Sequence, residues 1–181
     1  MCNFSFQSTS ITDLMLITPL FVPDQRGFLT KTYEKSAFEG HGIHMSLWEE
    51  LRSCSQRGVL RGLHFQIENS QDKLVQVLHG AVYDVAVDLR RESPAFGKWE
   101  GFYLSAENQK MLYIPRNFAH GFLALEENTL MNYLCGNRYD PESSSGIRWN
   151  DPELAIQWPL EQVEKVILSD KDAALPTLAE L

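Results

Sequence analysis

Short apolar segments, several of them with a two-residue period, recur along the chain and restrict its fold more than any other feature. They are rich in Val, Leu, Phe and Tyr, and turn residues separate them, which is typical of β-strands. The segments span residues 58–66, 73–78, 81–89, 101–104, 110–114, 121–125 and 129–135. The clearest predicted hairpin is residues 74–89, with its turn at His79 and Gly80. Helical periodicity is limited to residues 34–39 and 169–181. The pattern predicts an all-β antiparallel sandwich or barrel with short flanking helices.

Length and charge restrict the organisation of the chain and the class of its partners. Because the 181 residues contain no repeat or linker, residues 1–181 are expected to form a single domain. A formal net charge of −8 argues against a nucleic-acid partner, which normally requires a basic protein. The longest apolar stretch, residues 14–22, is much shorter than the roughly 20 residues of a membrane span, so no membrane partner is expected. The chain shows no secretion signal and has three scattered cysteines (Cys2, Cys54 and Cys135), so we expect a cytoplasmic location.

Polar residues interrupt several of these apolar segments. Asp84 lies in the middle of residues 81–89, where an ionised carboxylate is costly unless it is paired. Four further polar residues lie in or beside other segments: His64, Lys73, His120 and Tyr133. A single histidine among apolar residues is usually a hydrogen-bonded core residue. Five such residues in the strands of one small barrel are instead typical of an acid–base site.

One pair of candidate residues requires an irregular strand. Arg61 and His64 are three residues apart, so in a regular strand their side chains point to opposite faces. Gly62 lies between them and is the residue that would permit a bulge. If both side chains line one pocket, we therefore predict an irregularity at Gly62.

Strand histidines in a small barrel also occur in metal-binding cupins, which usually carry His-x-His and a glutamate a few residues later. Here Gln66 occupies the position of the second histidine, Glu68 is too close to replace the glutamate, and Lys73 would repel a cation. His64 and His120 alone do not supply the three protein ligands that catalytic zinc sites usually have. No metal is expected, and a metal-dependent cupin is the alternative from a different class.

The segment RGVLRGLHFQ at residues 57–66 resembles the signature of the dTDP-4-dehydrorhamnose 3,5-epimerases. Further segments resemble this family in the same order along the chain: QxKLV at 71–75, DVAVD at 84–88, SPxFGxW at 93–99, LSxEN at 104–108, IPxxFAHGF at 114–122 and WNDP at 149–152. The resemblance implies a cupin-like double-stranded β-helix jelly roll. It also implies a homodimer that exchanges N-terminal strands, and no metal or cofactor.

The same resemblance implies acid–base epimerisation of a nucleoside-diphosphate 4-keto-6-deoxy sugar. His64 is the expected base, Tyr133 the expected acid, and Lys73 the cation that stabilises the enolate oxygen. Asp172 is the expected partner of His64, and Asp170 is the less favoured choice. The residues expected to contact the substrate are Arg61, Lys171, His120, Asp84, Gln66 and Arg26, the last from the other subunit unless it is a solvated turn residue.

Three positions depart from the pattern of the family. Lys31 stands where a glutamate is usual, residues 49–53 read EELRS instead of QDNHS, and serines at 143–145 stand where a glutamate is common. These changes leave the expected catalytic residues intact but alter the shell that holds the substrate. The leading hypothesis is 3,5-epimerisation of dTDP-4-dehydro-6-deoxy-D-glucose. The alternatives are an epimerase of C3 or C5 alone, an epimerase of a CDP- or GDP-linked sugar, and a sugar-binding barrel without activity.

Overall fold

Two antiparallel β-sheets enclose the main apolar core of the computed structural model, which describes residues 4–181. The strands within these residues are β1 (Ser5–Ser8), β2 (Met15–Thr18), β3 (Leu20–Asp24), β4 (Gly27–Lys31), β5 (Glu49–Ser55), β6 (Leu60–Gln66), β7 (Lys73–His79), β8 (Ala81–Asp88), β9 (Trp99–Ser105), β10 (Met111–Ile114), β11 (Phe118–Ala124), β12 (Thr129–Cys135) and β13 (Ser144–Gly146). The helices are α1 (Lys35–Glu39) and α2 (Asp170–Ala173), and 3-10 turns occupy Leu160–Gln162 and Leu178–Glu180. None of the helices in this range is long and apolar enough to cross a membrane.

Most consecutive strands from β5 onward lie in different sheets. One sheet has the order β1-β2-β10-β7-β12-β5, and the other has the order β13-β6-β11-β8-β9. From β5 to β13 the chain passes from one sheet to the other at every step except the β8–β9 hairpin. This alternation is the arrangement of a double-stranded β-helix jelly roll, so the predicted fold class is confirmed. Strands β3 and β4 form a separate hairpin that belongs to neither sheet.

The predicted hairpin at residues 74–89 is wrong. The chain does turn at Gly80, where φ is +77° and a Cβ atom would lie 2.5 Å from Thr129 Oγ1. However, β7 pairs with β10 and β12, whereas β8 pairs with β9 and β11. A two-residue period shows only that one face of a strand is buried, and this is equally true of strands that pair and of strands that face each other across a core.

Apolar side chains form one cluster between the sheets and one on the outer face of each sheet. The inner cluster includes Val75, Val82 and Phe122. The outer face of the five-stranded sheet, with Val85 of β8, packs against the C-terminal segment that contains Trp158. Helix α1 and the residues around it cover the outer face of the six-stranded sheet. Strand β8 is therefore buried on both faces, which leaves its acidic side chains without direct access to water.

The C-terminal segment contains the short helix that its sequence predicts. Only α2 and the 3-10 turn at Leu178–Glu180 form within residues 169–181. Ser169 caps α2 by accepting a hydrogen bond from the backbone N–H of Asp172 at 3.1 Å. Pro176 follows shortly after α2 and has no backbone N–H to continue a helix. The short α2 places Asp172 next to β6.

Candidate active site

A cavity of about 350 Å³ lies between the two sheets and contains most of the predicted polar residues. His64 and His120 enter it from the five-stranded sheet, whereas Lys73 and Tyr133 enter it from the six-stranded sheet. Its volume falls in the range of small-molecule sites, about 300–1,000 Å³. The jelly roll thus brings these four residues, which are up to 69 positions apart in the sequence, into one cavity.

Strand β6 is irregular at Gly62, as the sequence predicts. In the β6–β11 ladder, three steps along β6 from Arg61 to His64 match two steps along β11. Gly62 has a φ of +119°, and a Cβ atom there would lie 2.5 Å from the Cα of Gly121. The irregularity lets Arg61 and His64 line the same cavity, so this prediction is confirmed.

Asp172 orients the His64 ring. Its Oδ1 lies 2.5 Å from Nε2 of His64, and no group within residues 4–181 forms a hydrogen bond with Nδ1. Burial lowers the pKa of His64 below its ordinary value, and the hydrogen bond to Asp172 partly opposes that decrease. The lowered pKa favours the neutral imidazole at neutral pH. Nδ1 is therefore a free proton acceptor at the cavity wall.

A second histidine–carboxylate pair supports the same wall. His120 Nε2 donates to the two carboxylate oxygens of Asp84, at 3.0 and 2.9 Å. Asp84 is fully buried, and this pair satisfies the carboxylate that the sequence places among apolar residues. Asp84 does not itself line the cavity, so it does not contact a ligand directly. Within residues 4–181, no three His, Cys, Asp or Glu side chains converge as metal ligands.

Tyr133 places a hydroxyl group in the cavity from the sheet opposite His64. Only 8% of this residue is exposed, and its hydroxyl lies 3.1 Å from Oγ of Ser53 on β5. Burial raises the pKa of Tyr133 well above its ordinary value, although the hydrogen bond to Ser53 opposes part of the increase. Tyr133 is therefore protonated at neutral pH and can act as a proton donor.

Lys73 places an ammonium group in the same cavity. It begins β7 and lies opposite Ile114 of β10 and Cys135 of β12. Burial lowers the pKa of Lys73, whereas Cys135 and Asp84 favour the charged form. Lys73 makes no ion pair with another residue in the described part of the chain. Its charge is thus available to a ligand.

The cavity wall is cationic although the protein is acidic. Arg61, Lys73 and Lys171 line it, and no Asp or Glu of residues 4–181 does. The Arg61 guanidinium donates to Ser55 Oγ at 3.1 Å, and Lys171 Nζ donates to Ser144 Oγ at 3.4 Å. A cleft lined by one sign of charge concentrates the electric field and attracts ligands of the opposite charge. The geometry therefore suits an anionic substrate on which protons are moved.

The family model described as dTDP-4-dehydrorhamnose 3,5-epimerase matches residues 8–180 of this chain. The chain belongs to the dTDP-4-dehydrorhamnose 3,5-epimerase family. It is 45% identical over 180 residues to the enzyme of that name from Methanothermobacter thermautotrophicus, across 99% of this chain and 97% of the relative. It is 49% identical over 175 residues to the enzyme of that name from Escherichia coli, across 96% of this chain and 94% of the relative.

Solved structures of epimerases have the same fold. The crystal structure of dTDP-6-deoxy-D-glucose-3,5-epimerase from Legionella pneumophila in complex with dTDP-4-keto-L-rhamnose has a TM-score of 0.93 at 44% identity, across 97% of this chain and 93% of that one. ChmJ, a 3'-monoepimerase from Streptomyces bikiniensis in complex with dTDP-quinovose, has a TM-score of 0.87 at 32% identity, across 96% of this chain and 87% of that one. The fold is thus shared by proteins that are named for the inversion of two carbons and of one.

Two residues that were expected to contact the substrate are engaged elsewhere in the protomer. Gln66 lines the cavity, but its side-chain amide donates to Asn69 O at 2.7 Å and accepts from the backbone N–H of Asp140 at 2.9 Å. Arg26 lies at the tip of the β3–β4 hairpin, where 89% of its side chain is exposed and it pairs with Asp24 at 2.6 Å. Arg26 does not line the cavity of its own protomer.

The positions that depart from the pattern of the family lie in different environments. Lys31 forms an ion pair with Glu34 at 2.8 Å, away from the cavity. Leu51 and Ser144 line the cavity directly. The Glu49 carboxylate accepts a hydrogen bond from the backbone N–H of Tyr139 at 2.8 Å. Two of the three departures from the family pattern therefore lie at the cavity, where they can alter substrate contacts.

The cavity also contains residues that the sequence does not single out, notably Ser53 and Tyr139. Leu51, Ser53 and Ser55 occupy every second position of β5 and therefore share one face of the strand. The two-residue period was thus the available signal for Ser53. Tyr139 lies in the loop after β12, where no periodicity indicates which residues face the cavity.

Proposed function

We propose that this chain converts dTDP-4-dehydro-6-deoxy-D-glucose into dTDP-4-dehydro-L-rhamnose by inverting C3 and C5. The observation that carries the proposal is the placement of a proton acceptor, His64 Nδ1, and a proton donor, the Tyr133 hydroxyl, in one cavity. They come from facing sheets. Inversion of a carbon requires an acceptor and a donor on opposite sides of the sugar, because one proton leaves from one face and another arrives at the opposite face. Membership of the epimerase family supports the same reaction.

The proposed mechanism passes through an enolate. The C4 ketone acidifies the hydrogens on C3 and C5, so His64 Nδ1 can remove one of them. Asp172 keeps the His64 ring proton on Nε2 and so leaves Nδ1 free. The Lys73 ammonium stabilises the negative charge that develops on the C4 oxygen, and Tyr133 protonates the carbon from the other face.

The cationic wall supports a nucleoside-diphosphate sugar as the substrate. Arg61 and Lys171 lie in the wall, have no carboxylate partner among residues 4–181, and are proposed to bind the diphosphate. His120 is proposed to contact the sugar, and Asp84 to hold His120 in place. Gln66 is proposed to shape the wall with its aliphatic carbons, while its amide stays hydrogen-bonded to Asn69, Arg138 and Asp140.

Deuterium exchange tests the proposed function. The wild-type protein is incubated with dTDP-4-keto-6-deoxyglucose in deuterated water and followed by proton NMR. Exchange at both C3 and C5 with formation of the L-rhamno product is expected. Exchange at only one carbon would instead support a monoepimerase, the alternative that the similarity to ChmJ and the altered cavity residues favour. Absence of exchange would contradict the dTDP-sugar assignment, and the CDP- and GDP-linked sugars would then be compared in the same way.

Replacing Tyr133 with phenylalanine is expected to separate proton removal from inversion. Inversion should fall by about 10²-fold, because the acid is lost. Deuterium wash-in should stay close to the wild-type rate, because His64 and Lys73 are unchanged. Proton NMR in deuterated water measures both rates in one sample. An equal decrease in both would contradict the assignment of Tyr133 as a separate acid.

We also propose that the protein is a homodimer of single-domain chains that include residues 1–181, with a cytoplasmic location. The β3–β4 hairpin supports the dimer, because it exposes Phe21, Val22, Phe28 and Leu29 and pairs with neither sheet. An isolated two-stranded hairpin is only marginally stable in water. Packing against a second protomer would bury these side chains and could bring Arg26 to the partner's cavity. Sedimentation equilibrium is expected to show a dimer at micromolar concentration, and a monomer would contradict this proposal.

A further inference from the structure

Each inversion leaves the two proton-transfer groups in the wrong state for the next one. In the proposed mechanism His64 gains the proton that the substrate loses, whereas Tyr133 becomes a phenolate. Both groups must exchange a proton with water before another carbon can be inverted. A 3,5-epimerase meets this requirement twice for each substrate molecule, so proton return to the acid is an essential step of the cycle.

The two groups differ in their access to water. The His64 side chain is 37% exposed, so Nδ1 can lose its proton directly to the solvent. Tyr133 is only 8% exposed. Its hydroxyl has two hydrogen-bond partners among residues 4–181, Ser53 Oγ at 3.1 Å and Met131 Sδ at 3.8 Å. A thioether carries no proton, so Ser53 is the partner that can supply one.

Ser53 occupies a suitable position for passing a proton. It lies on β5, an edge strand of the six-stranded sheet, and is partly exposed in the cavity wall. Its hydroxyl can donate to the phenolate and accept from water at the same time. The Arg61 guanidinium bonds to the neighbouring strand residues, Ser55 Oγ at 3.1 Å and Cys54 O at 3.3 Å. Its positive charge favours the phenolate while the proton is absent.

We infer that Ser53 is the relay through which water returns a proton to Tyr133 after each inversion. The Ser53 Oγ–H bond breaks as its proton moves to the phenolate oxygen, and Oγ takes a proton from water. The proton that His64 removed from the substrate leaves Nδ1 for water, so one proton enters and one leaves for each inversion. This inference rests on the proposed function. Ser53 acts through Tyr133 and is a positioning and relay residue.

Rapid-quench kinetics of Ser53→Ala test the relay. Tyr133 is protonated before the substrate arrives, so the first inversion needs no proton return. The variant is therefore expected to form a burst of about one inverted carbon per active site at the wild-type rate, followed by turnover about tenfold slower. Ser53→Thr keeps the hydroxyl and is expected to restore the steady-state rate. Deuterium wash-in through His64 should persist in both variants, which shows that the site is folded.

Two results for Ser53→Ala would overturn the relay. A slow first inversion without a burst would show that Ser53 only holds Tyr133 in position, and unchanged steady-state turnover would show that water reaches Tyr133 without Ser53. Met131→Leu is the matched control, because it changes the packing beside the Tyr133 hydroxyl without removing an exchangeable proton. A burst in Met131→Leu would also count against the relay. A wild-type protein without exchange at C3 or C5 would contradict the proposed function itself. Exchange by the wild type without a burst in Ser53→Ala contradicts the relay alone.

Discussion

Replacing His64 with asparagine is expected to lower both deuterium wash-in and product formation by about 10³–10⁴-fold, since a positioned general base contributes up to this factor. Asparagine retains a polar group beside Asp172 but cannot accept a proton at neutral pH. Both rates should fall together, because proton removal precedes every later step. This joint loss distinguishes His64 from Tyr133, whose replacement should spare the wash-in. Proton NMR in deuterated water provides the measurement.

His120→Asn is the matched control for His64, because both histidines line the cavity and both pair with a carboxylate through Nε2. This variant is expected to raise KM more than it lowers kcat. If His120→Asn abolished wash-in and His64→Asn did not, the assignment of the base would be reversed.

The pH profile provides a further check of the base. His64 must be neutral to accept a proton, so kcat/KM should fall as the pH decreases through the pKa of His64. Burial lowers that pKa, which places the acidic limb below the ordinary histidine value. Asp172 raises the pKa of His64, so Asp172→Asn should move the limb to still lower pH. A limb above the ordinary value in the wild type would contradict this assignment.

Lys73→Met is expected to reduce kcat by about 10²–10³-fold, the usual effect of removing one group that stabilises a developing oxyanion. Methionine fills a similar volume without a charge, so the enolate loses its cation while the cavity keeps its shape. Wash-in and product formation should both decrease, because both require the enolate. Initial rates over a range of substrate concentrations separate the effect on kcat from that on KM.

Lys171→Met is the matched control for Lys73, because Lys171 lines the same cavity but is exposed and is assigned to the diphosphate. It is expected to raise KM with little change in kcat.

The alkaline side of the wild-type pH profile gives a second check of Lys73. Burial lowers the pKa of Lys73, so the cation should be lost at a lower pH than for an ordinary lysine. Equal kcat values for the wild type and Lys73→Met would contradict the role of Lys73.

The β-architecture was predictable because alternation along a strand is a local property. Residues 58–66 and 129–135 show it clearly, and both form strands close to the expected bounds. The irregularity at Gly62 was also predictable, because the odd spacing of Arg61 and His64 conflicts with a common pocket unless the strand shifts. Polar residues that interrupt apolar strands were grouped from the same pattern, and the resemblance to the epimerase family then assigned their roles.

Pairing between strands was not predictable from the same pattern. Residues 74–89 alternate as a hairpin would, yet β7 and β8 belong to facing sheets. Likewise, nothing local to Ser53 indicates that its hydroxyl meets Tyr133, which is 80 residues away in the sequence. Such contacts depend on which strands become neighbours across the core.

The sequence by itself determined the β-class, the residue types needed for proton transfer and the family, because composition, period and motif spacing are properties of the chain alone. Tertiary structure decided which nitrogen of His64 is free, that Asp84 lies behind His120, and that Arg26 stays outside its own cavity. Each of these depends on the distance between groups that the chain brings together only when its sheets pack. The direction of each pKa shift has the same origin, since burial and neighbouring charge exist only in the folded protein.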